Sequence, residues 1–275
     1  MSRSSWDGFL RLSLISIPVR AFNSAEPNHG AVRFNQIHKN CGERIRYKKT
    51  CPIHGEVDKD EVVSGYPVDK NEYAEVSRDE IAKLKSEDDK AIEIDAFTSP
   101  DAIGPEYFSG KTFYLLPDGP AGQKPYALLC RVMAEKGVQA IAHMVLSGHE
   151  QQVVIRPAQP EGKVLEMSVL FYASQVKPIG SFGEEVEGRP VSAQELKLAS
   201  ALVDQSIVKK FDFSKLADHY AERVTQLVES KAAGKTVTTP KKESPARVIN
   251  LMDALKKSLR KGPNLPKAPK KPPRS

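Results

Sequence analysis

Four residues of metal-ligating type, His38, Cys41, Cys51 and His54, fall within one short stretch, HKNCGERIRYKKTCPIHG at 38–55. They form a His-x2-Cys pair and a Cys-x2-His pair, nine residues apart. A hairpin between them would join the pairs as a Cys2His2 tetrahedral set, a ligand chemistry that suits zinc. Four protein ligands leave no open position, so such a zinc would be structural. The plainer alternative is two small cysteines flanking a turn, with two surface histidines. Between the pairs lies GERIRYKK, 42–49. Read as a strand, it points Arg44, Arg46 and Lys48 one way and Ile45 and Tyr47 the other, with same-face neighbours about 6.6 Å apart. That row of cations matches a phosphate backbone. The competing reading is a solvated edge strand whose charges discourage aggregation.

The charge distribution bears on this choice. The chain of 275 residues carries a formal net charge of +6. Residues 231–275 hold thirteen Lys/Arg against Glu243 and Asp253, so the first 230 residues are net acidic. Within that acidic body, 31–49 is a basic island: Arg33, Lys39, Arg44, Arg46, Lys48 and Lys49 against Glu43. One basic strip on an acidic body fits a defined polyanion path.

Other chemistry finds little support. No G-x-x-x-x-G-K-[ST] loop and no H-E-x-x-H occurs, and Gly180-Ser-Phe-Gly183 is too sparse to cradle a nucleotide. The acid run Glu87-Asp88-Asp89 reads as solvated surface. Three cysteines are too few for a disulfide framework and fit a reducing compartment. FLRLSLISIPV at 9–19 is preceded by Asp7 and interrupted by Arg11, so no signal peptide is expected, and no apolar run approaches membrane-span length.

The elements that must carry these residues are mostly strands at first. FLRLSLISIPV alternates with period two, Leu10, Leu12 and Leu14 on one face, and AVRFNQI at 31–37 repeats the theme. Further strands are expected at 111–116, 138–146, 151–156 and 163–172, which suggests an antiparallel barrel or sandwich. Ser77 and Glu80 form a capping box for a short helix. PYALLCRVMAEKG, 125–137, opens with Pro and closes on Gly137, as a helix does, with Cys130 in its core face. From 192 the period becomes helical. Ser192 and Glu195 start one helix with Leu196, Ala199, Val203 and Ile207 in a stripe. A second starts near Ser214 and carries Leu216, Tyr220, Val224, Leu227 and Val228. After a polar linker at 235–243, Ser244 and Pro245 open a helix whose Val248, Met252, Leu255 and Leu259 share a face. Its end is rich in Lys and Arg, and the Pro/Lys-rich remainder is expected to be disordered.

Several segments together resemble bacterial Ku, the DNA-end-binding family of non-homologous end joining, over nearly the whole chain. They are Trp6-Asp-Gly8 with IPV at 17–19, FNQIHKNCGERIRYKKTCP at 34–52, FYLLPD at 113–118, YALL at 126–129, AIAHMVL at 140–146, Arg156-Pro157, ELKLASALVDQSIVKKFDFSKLADHY at 195–220 and INLMDALKKSL at 249–259. The segment SGHEQQVV, 147–154, stands where the family often has a more basic run, and His54 is not a position the family pattern requires.

The resemblance implies an α+β fold with a mainly β core, a Ku-type β-barrel with an arching bridge, then a helical C-terminal arm and a flexible basic tail. It implies a ring-shaped homodimer that encircles duplex DNA from a free end and recruits and stimulates a ligase, ligase D, without enzymatic activity of its own. The matching domain limits are 1–190 for the core and bridge, 191–234 for the arm, and 235–275 for linker, helix and tail. The expected DNA contacts are Arg33, Lys39, Arg44, Arg46, Lys48 and Lys49, with Lys241, Lys242, Lys256, Lys257, Lys267, Lys270 and Lys271 as a flexible second attachment. Leu251, Met252, Leu255 and Leu259 are the expected ligase-facing stripe. No cofactor is required, a structural zinc at His38, Cys41, Cys51 and His54 stays open, no membrane partner is expected, and the setting is the cytoplasm and nucleoid of a bacterium. Two alternatives remain beside it: a zinc-stabilised duplex-binding regulator of internal sites, and a lyase using an exposed Lys at abasic ends.

Overall fold

A computed structural model of the chain describes residues 3–26, 32–70, 72–83, 90–158, 162–183, 185–186, 188–213, 216–234 and 251–261. It divides into two compact units, 1–27 with 35–181 and 28–34 with 182–275.

The first unit is built on a hairpin where the sequence suggests one strand. β1 (Trp6–Leu12) turns at Ser13 and Leu14 into β2 (Ile15–Asn23), with Leu12 opposite Ile15. Ser13 takes φ 52°, the left-handed conformation that a tight hairpin turn requires. Leu14 therefore sits at the turn, fully exposed, and leaves the face of Leu10. In the Trp6-Asp-Gly8 segment the glycine is obligatory. The Lys90 carbonyl oxygen and the Trp6 ring occupy the space a Cβ would fill.

After β2 the chain leaves for an excursion and returns at β7 (Ala91–Thr98). The excursion contains β3 (Thr50–Cys51), β4 (Gly55–Glu56), β5 (Ser64–Asp69), β6 (Glu72–Val76) and the short helix α1 (Arg78–Lys83). The capping box forms as expected: Ser77 N–H donates to Glu80, and Glu80 N–H donates to the Ser77 hydroxyl. The acid run 87–89 lies outside the described residues.

β7, β8 (Phe108–Pro117), β9 (Gln139–Leu146), β10 (His149–Pro157) and β11 (Leu165–Leu170) join β1 and β2 in a closed barrel, in the order β1-β2-β8-β11-β10-β9-β7. All pairings are antiparallel except the parallel seam between β1 and β7 that closes it. Closure removes every free edge of this sheet. The interior follows the period-two pattern: Leu10, Val19, Leu115, Ala142, Met144, Ile155 and Met167 are all buried.

Helix α2 (Gly119–Lys136) packs against the barrel and buries Tyr126, Leu129, Cys130 and Met133. It begins six residues earlier than Pro125 suggests, with Pro120 in its first turn and Pro125 inside it, and it ends at Gly137, φ 61°. Tyr126 ties helix to barrel. Its hydroxyl donates to the Leu115 carbonyl at 2.6 Å and accepts from the Leu165 amide at 2.7 Å. Burial pushes this phenol and the neighbouring Cys130 thiol up from their ordinary values, so both stay neutral. Cys130 is a core residue, as its place in the apolar run implies. A single turn, α3 (Gly180–Gly183), follows β11.

The second unit contains α4 (Ala193–Ser206), α5 (His219–Ala232) and α6 (Leu251–Lys261). The Ser192/Glu195 capping box forms. The buried side of α4 shares only Ala199 with the expected stripe. Leu198, Ala199 and Leu202 are half-buried while Leu196, Val203 and Ile207 are exposed. The reason is the partner: α4 packs against α6. The helix expected from near Ser214 starts later: Asp218 caps α5, accepting from the amides of Tyr220 and Ala221, so Leu216 precedes the helix. Ser214, the linker 235–243, Ser244, Pro245, Val248 and the residues after 261 lie outside the described residues.

Candidate nucleic-acid interface

The basic island lies outside the barrel, at the start of the excursion. Residues 43–51 form its central stretch. On one side, Arg44 bridges Ile37, the Ile45 amide donates to the Gln36 carbonyl, and the Tyr47 hydroxyl donates to the Gln36 side chain. On the other, Thr50 and Cys51 pair with Glu56 and Gly55, and the Val57 amide donates to the Lys49 carbonyl. Two successive hairpins thus share 43–51. The regular strand expected over 42–49 is not formed, and among the described residues of AVRFNQI only Gln36 and Ile37 pair with it. The cations lie, exposed, on a stretch paired at both of its ends.

This arm has almost no interior. Every residue from 33 to 50 is exposed, the apolar ones included, with Tyr47 at 80%, and Ile53 in the next turn is 84% exposed. The hairpin of β5 and β6 is the same: Tyr66, Val68 and Tyr73 are exposed. Sequence reasoning missed these residues. Their signal was SGYPVDKNEYAEV, two short alternating runs around a polar turn whose aromatics have no core to meet.

Lys39, Arg44, Arg46, Lys48 and Lys49 all lie exposed on the arm. Lys48 is paired with Glu56 at 2.7 Å, both half or more exposed. Among the described residues Lys39, Arg44, Arg46 and Lys49 have no acidic partner. Arg33 is exposed and belongs to the second unit. Of the tail residues, Lys256 and Lys257 are exposed on α6, whereas Lys241, Lys242, Lys267, Lys270 and Lys271 lie outside the described residues. On the same helix Leu251 is exposed and Met252, Leu255 and Leu259 are half-buried. SGHEQQVV supplies the tight β9–β10 turn, Ser147 and Gly148 at φ 57° and 81°, and the first six residues of β10.

The two ligand pairs form separately. His38 Nδ1 lies 3.1 Å from Cys41 Sγ, and Cys51 Sγ lies 3.6 Å from His54 Nδ1. Backbone N–H groups of His54 and Ile53 hold the Cys51 thiol below its ordinary range. Among the described residues no three His, Cys, Asp or Glu side chains gather as a metal site, so the hairpin expected to unite the four is not formed within one chain.

The barrel surface carries a contrasting, self-neutralised set. Arg11 pairs with Glu93 at 2.9 Å. A register shift in β7 between Ile94 and Ala96 turns Asp95 toward His143, whose Nδ1 lies 3.0 Å from both carboxylate oxygens. The Asp95 hydrogen bond raises the His143 pKa, with Glu150 and Glu93 adding to it. No described helix is long and apolar enough to cross a membrane.

Residues 11–198 match the family model described as the Ku70/Ku80 beta-barrel domain. Relatives match across almost the full length. A protein of Heliobacterium modesticaldum named non-homologous end joining protein Ku is 34% identical, over 94% of this chain and 91% of its own. Proteins of the same name from Lachnoclostridium phytofermentans and Archaeoglobus fulgidus are 35% and 31% identical, over 92% and 94% of this chain and 94% and 98% of their own.

Proposed function

The chain belongs to the Ku family, and from that premise we propose that it binds the ends of linear duplex DNA irrespective of sequence, in double-strand break repair by non-homologous end joining. The observation that supports this is the arm, where Lys39, Arg44, Arg46 and Lys49 are exposed, with no acidic partner among the described residues, on a ribbon with almost no core. Phosphate contacts position a protein without specifying a base, which is what an end-binder needs. Each cation that neutralises a phosphate releases counterions, so affinity falls steeply with salt.

In this reading Lys39, Arg44, Arg46, Lys48 and Lys49 are the phosphate contacts, with Arg33. Lys48 must exchange Glu56 for phosphate and contributes least. Two subunits form a ring, each barrel carrying one arm, and the two-fold presents the same row from both sides of the duplex. The protein acts as a scaffold without catalytic residues, in a bacterial cytoplasm at the nucleoid. The limits 1–190, 191–234 and 235–275 separate the DNA-holding core with its excursion, the C-terminal helical segment and the recruiting tail. Leu251, Met252, Leu255 and Leu259 face ligase D, and docking there competes with the contact between α6 and α4. Lys241, Lys242, Lys256, Lys257, Lys267, Lys270 and Lys271 tether the tail to DNA.

A gel shift at fixed salt tests this with a linear duplex, the same duplex closed by hairpins at both ends, and a covalently closed circle. Binding to the open duplex alone is expected. Equal binding to all three would sink the ring.

A further inference from the structure

One end of the barrel holds a cavity of about 470 Å³, lined by Ser5, Asn23, Lys111, Phe113, Leu146 and Ser147 among others. The start of β1, the end of β2, the start of β8 and the end of β9 all lie at this end of the sheet. It is also the end from which the chain leaves β2 for the excursion.

The strands build this mouth by a change of character in their inward phase, since alternate residues face the interior. In β2, Ile17, Val19 and Ala21 are buried, and Asn23 follows in the same phase. In β8, Leu115 and Phe113 are buried, and Lys111 is next in phase toward the mouth. In β9, Met144 is buried and Leu146 half-buried. A floor of Phe113 and Leu146 thus meets a polar rim.

The rim carries open donors. Among the described residues the side chains of Ser5, Asn23, Lys111 and Ser147 have no hydrogen-bond partner. Two other hydroxyls of the mouth are engaged: Ser24 donates to the Thr112 carbonyl at 3.0 Å, and Thr112 meets the Ser168 hydroxyl at 3.1 Å. Lys111 also differs from the other cations of the barrel strands. Arg11, Arg20 and Arg156 lie 2.9, 3.1 and 2.7 Å from Glu93, Asp118 and Glu166. Lys111 has no acidic partner among the described residues.

Size and lining select the ligand. Small-molecule sites run about 300–1,000 Å³, combine apolar wall with a few polar groups, and occur in the mouths of β-barrels. A lone phosphate would use neither this volume nor the apolar floor. A nucleotide uses both. The ammonium suits its phosphate. The carboxamide, with donors and an acceptor, matches a base edge. The hydroxyls suit the sugar, and the floor suits the face of the base. A base inside a duplex must be extruded to enter, whereas an overhanging base is already unpaired.

We propose that the barrel mouth binds one unpaired nucleotide, with its phosphate on Lys111, its base edge on Asn23 and its base over Phe113 and Leu146. An overhang at a DNA end or a free nucleotide supplies this unit, and the first source rests on the end-binding reading above. An overhanging end is then held twice, its duplex by the arm and its unpaired nucleotide by the barrel.

The test uses full-length protein at fixed salt. Its ligands are a blunt duplex, the same duplex with short single-stranded overhangs, and free deoxyadenosine monophosphate. Wild type should bind the overhanging duplex about tenfold tighter than the blunt one. Ala25→Trp fills the mouth without removing a charge, and Lys111→Gln removes the cation. Each should bring the ratio to about one, and Lys111→Arg should keep it. A ratio of one in wild type, or a ratio that survives Ala25→Trp, overturns the proposal. Free nucleotide that lowers the ratio by competition supports a mouth served from both sources. A ratio that nucleotide leaves alone and both variants abolish supports a mouth served by DNA ends. Should the variants fail to fold, a photoreactive thymine in the overhang decides with wild type. Crosslinks to 111–113 or 146–147 support the mouth, and crosslinks confined to 33–57 refute it. Wild type that binds no duplex removes the end-binding reading instead. Nucleotide binding that Ala25→Trp abolishes would then still support the mouth, and no nucleotide binding would refute it.

Discussion

The barrel and the arm are built on opposite terms. The barrel closes on itself, so its backbone edges are paired and many of its apolar and charged side chains find partners within the chain: Leu10 and Ile155 in the interior, Tyr126 between helix and strands, Arg11 with Glu93, His143 with Asp95. The arm leaves the same kinds of group open. Among the described residues Arg44, Arg46 and Lys49 have no carboxylate partner, Tyr47 and Tyr73 are exposed, and the two Cys/His pairs form separately. A region that folds with so much unmet chemistry is specified by what it holds. Removing groups from the arm should damage binding and spare stability, and removing groups from the barrel should do the reverse.

The largest effect is expected from the arm. Replacing Arg44, Arg46, Lys48 and Lys49 by Ala removes eight cations from a dimer and should weaken DNA-end binding at physiological salt on the order of a thousandfold or more. The slope of log affinity against log salt should become shallower by about 7. The melting temperature should hardly move, since exposed substitutions shift stability by roughly 0.5 kcal/mol or less. A calorimetric scan beside a salt-series binding titration reads both, and a large loss of stability would dissolve the contrast.

Next comes the barrel interior. Ile155→Ala should cost about 2–5 kcal/mol through lost burial and the cavity left behind. Its denaturant midpoint should fall, while binding per folded molecule stays at the wild-type value. Tyr126→Phe is smaller. It strands the Leu165 amide and the Leu115 carbonyl in the interior, at about 1–3 kcal/mol, again without a change in the salt slope.

The smallest effect concerns the surface pair on β7 and β9. His143 has a pKa raised above 6.5 in the folded protein, chiefly by Asp95. Its contribution is therefore fully present below pH 6.5 and is lost as pH rises through the folded value. Both side chains are about half exposed, so the stabilisation stays below about 1 kcal/mol. Denaturant midpoints of wild type and His143→Gln should differ at pH 5.5 and converge at pH 9.

Legibility in the sequence follows the same division. The strands from β8 to β11 could be read because the barrel imposes strict alternation, and the capping boxes at Ser77 and Ser192 because they are local. The hairpin at Ser13 was hidden by uninterrupted alternation: Leu14 continues the pattern, and only its turn conformation breaks it. β7 was hidden behind the acid run before it. The stripe of α4 was misjudged because Leu196 and Val203 are as apolar as Leu198 and Leu202, and only the packing of α6 decides between the faces. In the arm the residue types were legible and the topology was not. Spacing alone could not tell that Cys41 and Cys51 bracket a stretch shared by two hairpins rather than one closed loop.

The central claim, a ring that enters DNA only at an end, is tested most directly by trapping. Protein loaded on a linear duplex is sealed in by ligating the DNA into a circle, then challenged with salt that strips it from linear DNA. The account predicts that it stays on the circle and leaves when one restriction cut reopens an end. Dissociation from the sealed circle at the salt that empties the linear duplex would contradict it.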